Sequence, residues 1–283
     1  ATVQAITCYQ YTDNNTMMVD YENGVLDVAI SLTDDDCEMI AADESLGTYV
    51  TVPSNASAVI AIAADNEILS SNEALREAIC IGTDTAAIAE RAWGVLGTEA
   101  TSSLSSSQPY YSDGHAYTYD QERAKELVAE TGLSADELTF TMVVTSAGTS
   151  PTIAESFQYY MEQIGITVQV EIYDQATATS VWRETGGTDF MVSANAIPTV
   201  TTEAADVYTF YQSNAPYPVT MQTGEEINEL LNAGRTTTDE AERAEIYGQV
   251  QDYFYENYIL LPLCEWSTAY AYGSNVETCE IAV

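Results

Sequence analysis

The chain has 283 residues, 46% of them hydrophobic, with 44 acidic against 7 basic side chains and a formal net charge of −37. That field repels nucleic-acid phosphates and anionic membrane surfaces, and no apolar run approaches the roughly 18 residues a spanning helix needs. A mean hydropathy of −0.10 fits a globular chain whose acidic excess reads first as a highly solvated surface; the length suits one large domain or two modest ones.

In chain order, Val3 to Tyr9 reads as a strand, Asn14 to Asn23 as a helix stopped by Gly24, and Val25 to Ile30 as a second strand. Thr33 is an N-cap candidate, with Asp34, Asp35 and Asp36 placed to favour the helix dipole. Calcium binding is the sharper reading of those acids, but the ligand spacing and central glycine of a calcium loop are missing. Tyr49 to Val52 and Val59 to Ala64 read as strands joined through PSNAS, and Asn72 to Trp93 as two short helices with Cys80 on an apolar face. The Ser- and Thr-rich stretch from Gly97 to His115 lacks the apolar content of a core and is expected at a surface or lining a cleft. Its aromatic end, Pro109, Tyr110 and Tyr111, either stacks on a ligand or pins the loop.

The segment from Tyr119 to Asp174 is the most diagnostic. Asp120 caps a helix with apolar Ala124, Leu127 and Val128 that ends at Gly132, and LTFTMVVT alternates as a strand. Pro151 begins a second helix closed by Gly165, and ITVQVEIYD follows as a strand. Strand, crossover helix and strand in this spacing form a βαβ unit, hence two parallel strands in an open α/β sheet. QATATSVWRET then reads as a helix ending at Gly186 and Gly187, and DFMVSAN as a strand. The loop after that strand lies where open α/β sheets bind ligands. Glu265 and Trp266 follow the last short strand, LLPLC; the tryptophan either stacks on a ligand or packs within the fold.

The cysteines at 8, 37, 80, 264 and 279 make no CxxC and no Cys/His metal spacing. Cys264 and Cys279 flank an expected hairpin that a disulfide could close, and the odd count leaves at least one thiol free. His115, the only histidine, sits in a Gly- and Ser-rich loop without the pattern of a general base. GxSxG, P-loop and HExxH motifs are absent, so the chain is expected not to be an enzyme.

YDQERAKELVAETGL, LTFTMVV and IAESFQYYMEQIGITVQVEIYD together resemble the extracellular solute-binding proteins of family 5, the oligopeptide, dipeptide and nickel binders of ABC importers. NNTMMVDYENGVLDVAI, LREAICIGTDTAAIAERAW and ERAEIYGQVQDYFYENYILLPLCEWSTAYAY resemble further family segments in the same order, so the likeness covers nearly the whole chain. It covers only the C-terminal half of such proteins, and implies a fragment, a processed product or one half of a larger assembly.

The resemblance implies a lobe of the periplasmic-binding-protein fold (type II), with an open, mixed and largely parallel sheet and flanking helices. Residues 1–64 would be the C-terminal part of the first lobe with its crossing strands, 65–260 the second lobe, and 261–283 the return strands. The implied function is capture of a small polar or peptide-like solute between lobes and delivery to an ABC permease, outside the cytoplasm, with an anchoring lipoprotein N-terminus and an N-terminal half supplied from beyond this chain. No cofactor or nucleic-acid partner is implied. The ligand contacts expected on this basis are Asn55, Tyr110, Asn195, Glu265 and Trp266. At SANAIPTVTTEAAD the sequence departs from the family: Ala194 stands at its tryptophan position, and Asn195, Ala196 and Ile197 replace its acids. A pocket without that carboxylate loses a charge-assisted bond to an ammonium, on the order of 1.5 to 3 kcal/mol. That loss keeps two alternatives open: a surface scaffold or assembly subunit that has lost its ligand, and, more remotely, the sensory half of a regulator.

Overall fold

The computed structural model describes residues 5–184, 186–196, 204–208 and 225–276. The chain divides into two compact units: residues 1–53 with 267–283, and residues 54–266.

The first unit holds α1 (Asn14–Glu22), β1 (Val28–Ile30) and α2 (Asp34–Ala42). Asp13 caps α1 by accepting from the Thr16 amide, and Thr33 with Asp36 closes a capping box on α2, as the Thr33 pattern predicts. Met17, Met18, Tyr21, Leu32, Cys37 and Ile40 are among its buried apolar side chains. Two expectations shift here. The strand expected from Val25 begins only at Val28, because the amides of Val25 and Leu26 both donate to the Asp20 carbonyl and close the turn after α1. The strand expected over Val3 to Tyr9 does not form among its described residues: Ile6 is 81% exposed, and a strand without a ladder partner has nothing to fix it.

Two long strands, β2 (Thr48–Ile62) and β7 (Leu260–Tyr272), run from one unit into the other. In the first unit, the far end of β7 pairs antiparallel with β1, Ala29 opposite Ala271. PSNAS does not interrupt β2: proline tolerates the extended backbone, and the carbonyls of Ser54 and Asn55 are taken by the side chains of Ser105, Ser107 and Gln108.

The second unit carries α3 (Glu67–Ser71), α4 (Glu73–Ile81), α5 (Thr85–Trp93), β3 (Gly97–Glu99), α6 (Gln121–Thr131), β4 (Thr139–Thr145), α7 (Ser150–Gln163), β5 (Thr167–Tyr173), α8 (Gln175–Trp182), β6 (Phe190–Ala196), α9 (Ala204–Val207), α10 (Glu225–Thr236) and α11 (Glu240–Glu256). Its strands lie in the order β7-β2-β6-β4-β5, with β3 on β7. β4 and β5 are parallel, Thr139 opposite Thr167 through Thr145 opposite Tyr173, with α7 crossing over between them. This is the βαβ unit expected from the sequence, and Gly132 ends α6 in the left-handed region as expected.

Strand periodicity sorts the core. Alternate residues of β2 face opposite sides of the sheet: Ala58, Ile60 and Ile62 pack with α4 to α7, while Val59, Ala61 and Ala63 pack with α10 and α11. Phe157 on α7 meets Phe190 on β6 edge to face at 5.0 Å. Buried Arg76 donates to the carbonyls of Leu69, Ser70 and Asn257, at the ends of α3 and α11, where helix dipoles favour a cation. Cys80 is fully buried and Cys264 is a buried free thiol. Burial pushes the Cys80 thiol up and that of Cys264 up to about 12, leaving both inert at neutral pH. Cys279, the other half of the expected bridge, lies outside the described residues.

Cap carboxylates tie helix ends to pH. The Thr177 hydroxyl, then the Thr177 amide, donate to Asp174 and hold its carboxyl below the ordinary aspartate value. A depressed folded pKa contributes stability in full above the unfolded value, about 3.9, and the contribution is lost as pH falls through the folded value. An NMR titration of side-chain carboxyls is therefore expected to show Asp174 more than half ionised at about pH 3.9, with the first turn of α8 fraying as pH falls through its lowered midpoint; a midpoint at or above the free value would contradict the cap.

Candidate functional site

The site begins with one residue of β4. Val143 is fully buried, and side chains hydrogen-bond both of its backbone groups. Its amide donates to Thr188 Oγ1 (2.9 Å), and its carbonyl accepts from Trp182 Nε1 (2.9 Å). One residue earlier the parallel ladder between β4 and β6 is intact, Met142 opposite Phe190. Below that, Asp189 stitches the strands: its amide donates to the Thr141 carbonyl, and its carboxylate accepts from the Thr141 amide and Asn66 Nδ2, both at 2.7 Å. The two strands therefore separate above Met142.

A cavity of about 520 Å³ opens in that separation, at the C-terminal ends of the parallel strands. Thr145 and the 147–150 turn, with Ile153 on α7, form one side; Gln175 and Trp182 on α8 another; Val192, Ser193 and Ala194 of β6, with Ala58 opposite Ala194 on β2, a third. Trp93 and Trp266 complete it, their rings 5.8 Å apart and 15° from parallel. Gly97 makes that pair fit: it lies opposite Trp266 in the β3–β7 ladder, and a Cβ there would come within 2.8 Å of Trp93 Cβ and 3.1 Å of Cys264 Sγ. All three tryptophans of the chain line this one cavity, each half-buried. Among the described lining residues none carries a formal charge.

Of the contacts expected from the sequence, Trp266 lines the cavity. Asn195 lies on β6 opposite Ser57, one residue beyond lining Ala194; nothing of its side chain is described, and Ile197 lies outside the described residues. Asn55, Tyr110 and Glu265 are not among the lining residues. The Asn55 carbonyl accepts from Gln108, and Tyr110 donates to Glu240 and packs against Tyr247 at 5.1 Å, which pins the loop. Glu265 accepts from Ser105 Oγ (2.9 Å), Ser106 N (2.9 Å) and Ser106 Oγ (2.7 Å).

These bonds correct the reading of the 97–115 stretch as a surface or cleft-lining loop. Ser102, Ser103, Leu104 and Ser105 are buried, because their hydroxyls find fixed partners: Ser102 donates to Gln251 and Ser103 bonds Tyr208. His115 is likewise buried, its ring nitrogens on Asp252 (2.8 Å) and the Ser112 carbonyl (3.0 Å), and it ties the loop to α11. Trp93 and Trp182 were not singled out by the sequence; each closes a helix just before a glycine-containing turn, a position that pattern alone assigns to packing.

A family model described as bacterial extracellular solute-binding proteins, family 5 (middle), matches residues 1–217. The chain is 21% identical over 281 residues to the glutathione-binding protein GsiB of Salmonella paratyphi A and of Salmonella typhi, covering 97% of this chain and 54% of each relative. Among solved structures it is similar to the ABC transporter substrate binding protein CtaP of Listeria monocytogenes (TM-score 0.81, 21% identity, 93% of this chain and 54% of the other). It is also similar to a peptide binding protein, AppA, of Clostridium difficile (TM-score 0.82, 17%, 94% and 55%) and to NikA of Brucella suis in complex with Fe(III)-EDTA (TM-score 0.79, 18%, 96% and 58%). The chain thus spans about half the length of the relatives it matches.

Removing either side-chain partner of Val143 leaves a buried backbone group unsatisfied, at a cost of about 1–3 kcal/mol. Trp182→Phe and Thr188→Val are each expected to lower the unfolding free energy by that amount, read as a lower urea midpoint at an unchanged m-value; a change under about 0.5 kcal/mol in both would show that Val143 does not depend on them.

Proposed function

This chain belongs to the bacterial extracellular solute-binding proteins of family 5, and we propose that it captures a small solute in the tryptophan-lined cavity for delivery to an ABC permease. The observation that carries this reading is the cavity's position: the C-terminal rim of parallel strands, where β4 and β6 part, is where open α/β sheets take their ligands. Its volume falls in the usual range for a small-molecule site, roughly 300–1,000 Å³, and its lining is mostly apolar with a few polar side chains, as such sites are. Trp266 is the ligand contact carried forward from the sequence, and residues 65–260 form the body of the pocket-bearing lobe. Capture followed by lobe closure is a population shift: the solute favours whichever arrangement it contacts more extensively. The solute acts outside the cytoplasm in this reading, as family membership suggests.

The test uses the tryptophans themselves. Native mass spectrometry of the gene product, purified without denaturation, is expected to retain a small solute that denaturation releases. Adding that solute back to the stripped protein is expected to shift indole emission saturably. Trp266→Ala is expected to weaken it at least tenfold, about 1.4 kcal/mol. A stripped protein whose emission answers to no retained or added solute would overturn the assignment.

A further inference from the structure

The chain is strongly charged, yet its cavity is not. With 44 acids and 7 bases in the sequence, none of the described lining residues is an Asp, Glu, Lys, Arg or His. We infer that the cavity takes an uncharged, oxygen-bearing ring compound, a neutral saccharide or nucleoside by chemical class; this rests on the solute-capture reading above.

Three observations on the described lining disfavour the charged alternatives in turn. An anion approaches against a field of −37 and finds no described cation in the lining to pair with. An ammonium finds no described carboxylate there. It also meets the N-terminal end of α7, whose residues Thr149, Ser150 and Ile153 line the cavity and whose first turn has no side-chain cap from Thr149. That helix end carries the positive pole of the dipole, so a buried cation is opposed where an acceptor oxygen is welcomed. A zwitterionic peptide would have to desolvate both termini against this lining without a partner for either.

What the cavity does offer matches a neutral ring. Trp93 and Trp266, their rings stacked 5.8 Å apart and 15° from parallel, give the lining a large aromatic surface, and Ile153 and Val192 add apolar surface. Around it Thr145, Ser150, Ser193 and Gln175 supply groups that both donate and accept hydrogen bonds, the complement of hydroxyl, ether and carbonyl oxygens on a ring's edge. About 520 Å³ accommodates one or two such rings.

The decisive experiment titrates the full chain, followed by indole emission and calorimetry, with cellobiose and uridine as neutral ring probes and trialanine, choline and glutarate as charged ones. At least one neutral probe is expected to bind at least tenfold more tightly than every charged one, and Gln175→Ala to weaken it three- to tenfold. Ser193→Asp, which places a carboxylate in the lining, is expected to weaken the neutral probe and to raise the affinity for trialanine. Saturable binding of a charged probe tighter than both neutral ones, lost in Trp266→Ala, would overturn this inference while leaving solute capture standing. Emission unmoved by all five probes would overturn it too, and if the solute retained from the native source also left emission unmoved, capture would fall with it.

Discussion

The residue on which the pocket depends is Val143, whose amide and carbonyl are engaged by Thr188 and Trp182. A backbone in the middle of a buried sheet must find partners for both groups, and the ordinary solution is the next strand. Here side chains add to the strand pairing, and β4 and β6 stay joined through Asp189 and Met142 and part immediately above. The cavity is the volume left by that parting. Trp182 has two roles at once, as the hydrogen-bond partner of the sheet and as a wall of the space the sheet vacates.

Beneath the rim the fold is stiff for reasons that follow from period and packing. From Ala56 onward β2 is buried on both faces, its alternating residues feeding two separate apolar clusters. Ser102, Ser103 and Ser105 of the 97–115 stretch are held by Gln251, Tyr208 and Glu265. A satisfied polar network of this kind fixes one arrangement, since any displacement strands a buried donor or acceptor. The rim tryptophans therefore stand on a platform that does not need a ligand to organise it, and binding is spared the cost of ordering them.

Much of this was legible in the residues, and the legible part was local. Thr33 with Asp36, Asp120, Gly132 and the helix–strand rhythm of 121–173 act within a few residues, and each element formed where capping and turn chemistry placed it. The misreadings all turned on distant partners. The serine-rich stretch looked too polar for an interior because Gln251 and Glu265 lie some 150 residues away in sequence. PSNAS looked like a break because Gln108, not a strand, serves its carbonyls. The cavity was legible only in part: the rim position after DFMVSAN and Trp266 could be read, but the meeting of Trp93 and Trp182 with Trp266 is a product of topology that no periodicity encodes.

Ala58 and Ala194 face each other across β2 and β6 at the cavity wall, and neither side chain carries a polar group. Trp182 cannot be exchanged without disturbing β4, whereas either alanine can grow without orphaning a buried polar group. Reshaping this cavity therefore has an inexpensive route and a costly one: side chains at these two small positions can narrow it, while replacing the indole of Trp182 also removes a hydrogen bond to the β4 backbone.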